Sequence, residues 1–166
     1  MPILIDVSTA QEAARWRPIN DDVMGGASSG AMHAAQGVGV FAGELSLTNG
    51  GGFASIRRER QPMQLSGYSG LTVEVRGDGR QYQLRLYSQQ LGDGAAYRAL
   101  FQPPAGEWQH VALPWHAFEA IRRGRLLEDA PALAPDDIQQ LGLLIADRRD
   151  GAFQLEIAGI EPLQAR

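Results

Sequence analysis

The stretch Leu71-Thr-Val73-Glu-Val75-Arg-Gly-Asp-Gly79-Arg-Gln-Tyr82-Gln-Leu84-Arg-Leu86 holds two runs in which every second side chain is apolar, parted by a glycine-rich tripeptide. A period of two marks a strand with one dry face and one wet face. Gly77-Asp-Gly79 reads as the turn of a hairpin, with residues 82–86 as its return strand.

The same rhythm continues outward in both directions. Downstream, Gly92-Asp-Gly94 is a second turn, followed by a strand from Tyr97 to Phe101. Pro103-Pro104 makes a stiff connection to a strand from Trp108 to Leu113, stopped by Pro114, and Trp108 is expected in the core. Pro135-Asp-Asp-Ile138 reads as a helix start, with proline in the first turn and carboxylates at the positive end of the dipole, and the helix is expected to end by Gly142. Leu143-Leu-Ile145 is apolar throughout and reads as a central strand, and Phe153-Gln-Leu155-Glu-Ile157 closes the fold. Upstream, residues 53–56 are a short strand, and residues 38–47 read as two strands broken or bulged near Gly43. Residues 3–7 read as an edge strand. Thr9-Ala-Gln-Glu12 is a capping box that opens at most two helical turns, ended by Pro18. About nine strands spaced about ten residues apart, with one or two short helices, make an all-β sandwich.

Composition agrees. Glycine supplies 20 of the 166 residues, enough to punctuate many turns. The length predicts one domain over residues 1–166. No cysteine is present, so disulfides, thiolate metal sites and a cysteine nucleophile are excluded. A net charge of −4 argues against a nucleic-acid partner, which asks for a clustered basic face. The first residues carry no basic region and no long apolar run, so a cytoplasmic location is the expectation.

Residues 16–30, Trp-Arg-Pro-Ile-Asn-Asp-Asp-Val-Met-Gly-Gly-Ala-Ser-Ser-Gly, have the composition of neither a helix nor a buried strand. An amide, two adjacent carboxylates and a glycine pair predict an ordered loop built from tight turns. Two readings stand for Asn20, Asp21 and Asp22. They are oxygen donors for a hard cation such as Ca²⁺, or they bond the amides of the Gly25-Gly26 turn and meet an arginine. The spacing fits no EF-hand, and the glycine pair lacks the Lys and Ser/Thr of a phosphate loop, so no metal or cofactor is expected.

Several of these residues, taken in order, resemble the complex I intermediate-associated protein 30 family. They are Trp16, Asn20-Asp-Asp-Val-Met-Gly-Gly26 with Ser28, Phe41-Ala-Gly43 and Gly51-Gly-Phe-Ala-Ser55. Val75-Arg-Gly-Asp-Gly-Arg80 with Tyr82, Trp108-Gln109, Leu113-Pro114 with Phe118, Arg123-Gly-Arg125, and Asp147 with Gly151-Ala-Phe153 follow in the same sequence. The resemblance implies a galactose-binding-like jelly-roll β-sandwich. It also implies an assembly factor for a respiratory complex that binds intermediates and performs no catalysis. The chain reads as the bare module, like a bacterial stand-alone member.

Two stretches carry the densest signal outside the core. One supplies Trp16, Asn20, Asp21, Asp22, Met24, Gly25 and Gly26; the other is the long loop expected between Phe118 and Pro135, with Arg122, Arg123 and Arg125 around Gly124. The two are expected to lie together and to form the contact surface for a protein partner. Trp115, just after Pro114, is expected as an exposed platform beside them. The other-class alternative is a carbohydrate-binding module of the same fold, with sugar rings stacked on exposed aromatics, Tyr87 and Phe53 being lesser candidates. His33, His110 and His116 show no metal-ligand spacing, and Arg76-Gly-Asp78 matches an integrin tripeptide by coincidence.

Overall fold

A computed structural model of the chain describes residues 5–6, 9–20, 28–48, 52–61, 63–92, 94–122 and 125–164. Alternating apolar runs become thirteen strands among them, packed as two antiparallel sheets. One sheet has the order β3 (Ser29–Ala35), β4 (Val38–Leu45), β13 (Gly151–Gln164), β6 (Tyr68–Arg76) and β9 (Trp108–Pro114), with β1 (Ile5–Asp6) added to β13. The other has the order β11 (Arg125–Leu126), β10 (Glu119–Arg122), β8 (Ala95–Phe101), β7 (Tyr82–Ser88), β12 (Ile138–Ile145), β5 (Ala54–Arg58) and β2 (Trp16–Pro18). The expected edge strand at the N-terminus, the central strand at residues 143–145 and the closing strand from Phe153 are all present.

The two sheets are pinned by aromatic rings contributed from both. Phe41 and Phe153 of the first sheet meet edge to face with centroids 5.0 Å apart, and Phe153 meets Tyr82 of the second at 6.4 Å. All three rings are buried, and such contacts add to the burial energy of the side chains.

The hairpin expected at Gly77-Asp-Gly79 is not one. β6 pairs with β13 and β9, whereas β7 pairs with β12 and β8 in the opposite sheet. The tripeptide therefore turns the corner between sheets. Gly77 is glycine because a Cβ there would stand 2.6 Å from Pro103 Cγ, on the second crossover. Asp78 accepts from the Gln154 amide at 2.7 Å and from the Tyr82 hydroxyl at 3.1 Å, so the supposed integrin tripeptide is tied into the corner. Alternation looks the same on either side of a hairpin and a crossover, so the local pattern does not separate them. The turn between β7 and β8, with Gly92 and Gly94 at positive φ, is a true hairpin.

Other expectations fail for related reasons. β4 is one unbroken strand, because Gly43 marks close approach and not a bulge: a Cβ there would stand 2.0 Å from Ser29 O on β3. β3 was not foreseen, since its Ser-Gly-Ala-rich sequence has weak strand preference and is held by the ladder to β4. The helix at Pro135 is a single 3-10 turn over Pro135–Asp137, and the chain is already strand at Ile138. The long loop contains the β10–β11 hairpin, and its remainder is anchored where Pro131 O accepts the Tyr97 hydroxyl at 2.7 Å. Trp108 is 40% exposed, lying under the Arg76 guanidinium at 5.3 Å.

Candidate functional site

The register of the seven-stranded sheet lines up residues far apart in sequence. Arg17 on β2 pairs with Arg57 on β5, Arg57 with Gly142 on β12, Gly142 with Arg85 on β7, Arg85 with Arg98 on β8, and Arg98 with Glu119 on β10. Direct cross-strand partners share a face. The residues flanking this row in each strand, among them Ile56, Leu84, Leu86, Leu143, Tyr97 and Ala99, are buried against the first sheet. The arginine row thus lies on the outer face.

The centre of the row is built on a gap. Gly142 has no side chain, and the Tyr87 ring from the neighbouring row lies across it; a Cβ would stand 3.1 Å from Tyr87 Cε2. The Arg57 guanidinium sits over the Tyr87 ring at 4.2 Å, a cation–π contact. Ser55, Gln83 and Leu144 form the next row and are buried although they face outward, so the arginine row is bordered by packed side chains.

The electrostatics of this face are unbalanced. Arg85 bonds Gln83 Oε1 through Nε at 3.0 Å and Nη2 at 2.9 Å, a neutral acceptor. The Nε atoms of Arg57 and Arg98 are buried with no hydrogen-bond partner. Among the described residues, Arg17, Arg57, Arg85 and Arg98 enter no ion pair with a carboxylate. Burial pulls the Arg85 guanidinium below its usual range; the neighbouring Arg98 and Arg57 pull the same way and the Tyr87 hydroxyl opposes them. Like charges placed directly across strands destabilise a sheet. Toward β2 the row opens into a cavity of about 380 Å³ lined by Arg15, Arg17, Arg57, Arg60, Glu59 and Gln140.

The two fully buried arginines of the sandwich, Arg58 and Arg80, are by contrast each paired with a carboxylate. Arg58 is buried and bonds both oxygens of Glu12, at 2.9 Å and 3.0 Å, and Glu12 also accepts from Trp16 Nε1 at 2.8 Å. The capping box is thus half formed: Thr9 caps the amide of Glu12, while the Glu12 carboxylate turns inward to Trp16 and Arg58. Arg80 grips Asp147 at 2.6 Å and 2.9 Å and takes the carbonyls of Gly151 and Ala152 at 3.0 Å each, closing the turn before β13.

The residues singled out in the sequence fall in different places. Trp16 is buried in β2 at one edge of the seven-stranded sheet. Asn20 stitches the sheets together, accepting from the Ser55 amide at 3.1 Å and donating to Gly30 O at 3.3 Å. Trp115 is no open platform: its indole donates to Tyr68 O at 2.7 Å and it packs against the core beside Phe118. Arg125 is exposed on β11, the far edge from β2, so the two stretches expected to lie together begin at opposite edges of one sheet. Asp21, Asp22, Met24, Gly25, Gly26 and Arg123 lie outside the described residues. Residues 57, 85 and 98 were missed because their proximity exists only through strand register. One signal was available: all 15 basic residues are arginine and none is lysine, and arginine is the cation that takes a carboxylate with a planar fork.

Comparison with known proteins gives a consistent picture. A family model described as complex I intermediate-associated protein 30 matches residues 5–157. A Caenorhabditis elegans protein named probable complex I intermediate-associated protein 30, mitochondrial, is 28% identical over 76% of this chain and 43% of its own length. A Drosophila melanogaster protein named complex I intermediate-associated protein 30, mitochondrial, is 25% identical over 93% of this chain and 60% of its own. The chain therefore spans about half the length of the curated relatives it matches. Among solved structures, a family 11 carbohydrate-binding module of a Clostridium thermocellum cellulase superposes with a TM-score of 0.72 at 13% identity, covering 99% of this chain and 94% of the module. An agarase superposes with a TM-score of 0.66 at 11% identity, covering all of this chain and 26% of the agarase. At such identities the likeness shows the fold, a jelly-roll sandwich of the galactose-binding-like kind.

Proposed function

The chain belongs to the complex I intermediate-associated protein 30 family, and from that premise we propose that it is a non-catalytic module that docks on a protein intermediate of a respiratory assembly. The outer face of the seven-stranded sheet is the docking surface. The observation that carries this reading is the row of Arg57, Arg85 and Arg98, which form no ion pair with a described carboxylate although Glu119 stands opposite Arg98 at the end of the row. A fold leaves such a row only at a cost to stability, and residues that cost stability without a structural return are concentrated at functional sites.

The carbohydrate reading has the fold in its favour. What weighs against it is the supply of open aromatic surface: Tyr87 already carries the Arg57 guanidinium on its ring, Trp108 carries that of Arg76, and Trp115 is engaged with Tyr68 O. A sugar ring needs an open aromatic surface.

The test is to express the tagged chain in its own host and resolve membrane extracts on a native gel. Co-migration with a complex I subcomplex is expected, and the Arg85→Gln/Arg98→Gln double variant should lose it while remaining folded. Co-migration with no complex I subunit, with unimpaired complex I when the gene is deleted, overturns the reading.

A further inference from the structure

The arginine row also specifies the chemistry of what it holds. We infer that the partner presents an extended acidic segment, whose Asp and Glu carboxylates are taken by the forks of Arg57, Arg85 and Arg98. This rests on the docking reading above and names the kind of surface docked.

Three observations converge on a carboxylate-bearing strand. First, the cations of the row are planar guanidiniums, the donor geometry that matches the two oxygens of a carboxylate; Arg85 spends its Nε and Nη2 on Gln83 Oε1 and offers its remaining N–H groups. The Nε atoms of Arg57 and Arg98 have no hydrogen-bond partner but are themselves buried, so an arriving carboxylate meets each guanidinium at its terminal Nη groups. Second, the dimensions suit an extended peptide. From Arg17 to Arg98 the row crosses β2, β5, β12, β7 and β8; at ~4.8 Å per strand spacing that is ~19 Å, about six residues of extended chain, whose same-face side chains recur every ~6.7 Å. Third, the row is bounded. Glu119 ends it at β10, and Glu59 lines the cavity at the other side. With a net charge of −4 on the whole chain, a long polyanion such as a nucleic acid meets repulsion beyond the row, whereas a short acidic segment does not.

The neighbouring row sharpens the point. Ser55, Gln83 and Leu144, the neighbouring row on the same face, are buried, so the arginines border packed side chains on that side. Arg85 and Arg98 face each other directly across two strands. An arriving carboxylate removes their mutual repulsion, so occupancy must raise the stability of the folded chain.

The test uses the purified full chain, a fluorescein-labelled peptide of alternating Glu and Ser ten residues long, and two competitors: an oligogalacturonate and an oligothymidylate. Fluorescence anisotropy is expected to show saturable peptide binding that weakens as salt rises from about 50 to about 300 mM. The melting temperature should rise with peptide. Arg98→Gln and Arg85→Gln should each weaken binding about tenfold or more, the scale of a lost charge-assisted fork. The free Arg98→Gln protein should melt no lower than the wild type, since a like charge has been removed; a merely structural arginine would lower it. Arg122→Gln, at the far edge, should bind as wild type does. Equal binding by Arg98→Gln and wild type overturns the inference, as does tighter binding of the oligogalacturonate or the oligothymidylate. Absence of peptide binding with co-migration on the native gel intact overturns the acidic segment and leaves the docking reading in place.

Discussion

Tyr87 lies across Gly142, its ring carbon Cε2 3.1 Å from where a Cβ of residue 142 would stand. The missing side chain makes room for an aromatic ring in the middle of an arginine row, and the ring in turn carries Arg57. Gly142→Ala should therefore push Tyr87 off its seat and release Arg57 from it. The neighbour has to yield only a few tenths of an ångström, so the expected loss is about 1 kcal/mol of stability. Urea unfolding measures that loss, and acidic-peptide affinity should change with it.

Gly43 allows a much closer contact, backbone against backbone. A Cβ at this position would stand 2.0 Å from Ser29 O and 2.7 Å from Gly30 Cα. Backbone yields far less than a ring, so Gly43→Ala should cost about 3 kcal/mol or more and loosen the β3–β4 ladder. Gly37→Ala is the control: nothing lies within 4 Å of its Cβ, but φ is +80°, and the expected loss is about 1 to 2 kcal/mol. Denaturant melts that rank the two the other way would contradict this account of Gly43.

The Glu12–Arg58 pair makes a different prediction. Both side chains are buried, 10% and 5% exposed, and bonded through both oxygens. Glu12→Gln leaves the Arg58 charge uncompensated and should cost about 3 kcal/mol. Replacing both by methionine should cost much less than the sum of the single changes, because no stranded charge remains. A double-mutant cycle by chemical denaturation reads the difference.

The Arg80–Asp147 clamp predicts a pH dependence. Burial pushes the Asp147 carboxyl upward, but the hydrogen bonds and charge of Arg80 outweigh it and hold the value below the usual range. A carboxyl depressed in the folded state contributes stability that is fully present above its unfolded value of about 3.9 and is lost as pH falls through the folded value. Wild-type stability should therefore decline on acidification below about pH 4, and Asp147→Asn, weaker at neutral pH, should decline less over the same interval. Unfolding curves at three pH values measure this, and parallel declines would remove Asp147 from the acid response.

The fold was legible where local chemistry is sufficient. Alternation located Leu71 to Val75, Tyr82 to Leu86 and Phe153 to Ile157, and Thr9 with Glu12 located the short α-helix Ala10–Ala13. Legibility failed where the same local pattern serves two tertiary roles. Gly77-Asp-Gly79 looks like a hairpin and is a corner; Gly43 looks like a bulge and is a contact; Trp108 looks like core and is half-covered surface. For the candidate site the gap is wider. Trp16 and Asn20, chosen for their company in sequence, serve the packing of the sandwich, as does Trp115.

Period-two patterning, abundant glycine and the absence of cysteine are properties of neighbours along the chain, and with the ordered family motifs they determined by themselves that this protein is an all-β sandwich of a known family. Which strand lies beside which is decided by closing two sheets over one core, a long-range matter that no short window contains. That closure alone brought Arg17, Arg57, Arg85 and Arg98 into one row. Charge acts through space and not along the sequence, so an acidic chain came to carry a basic face that only its tertiary structure reveals.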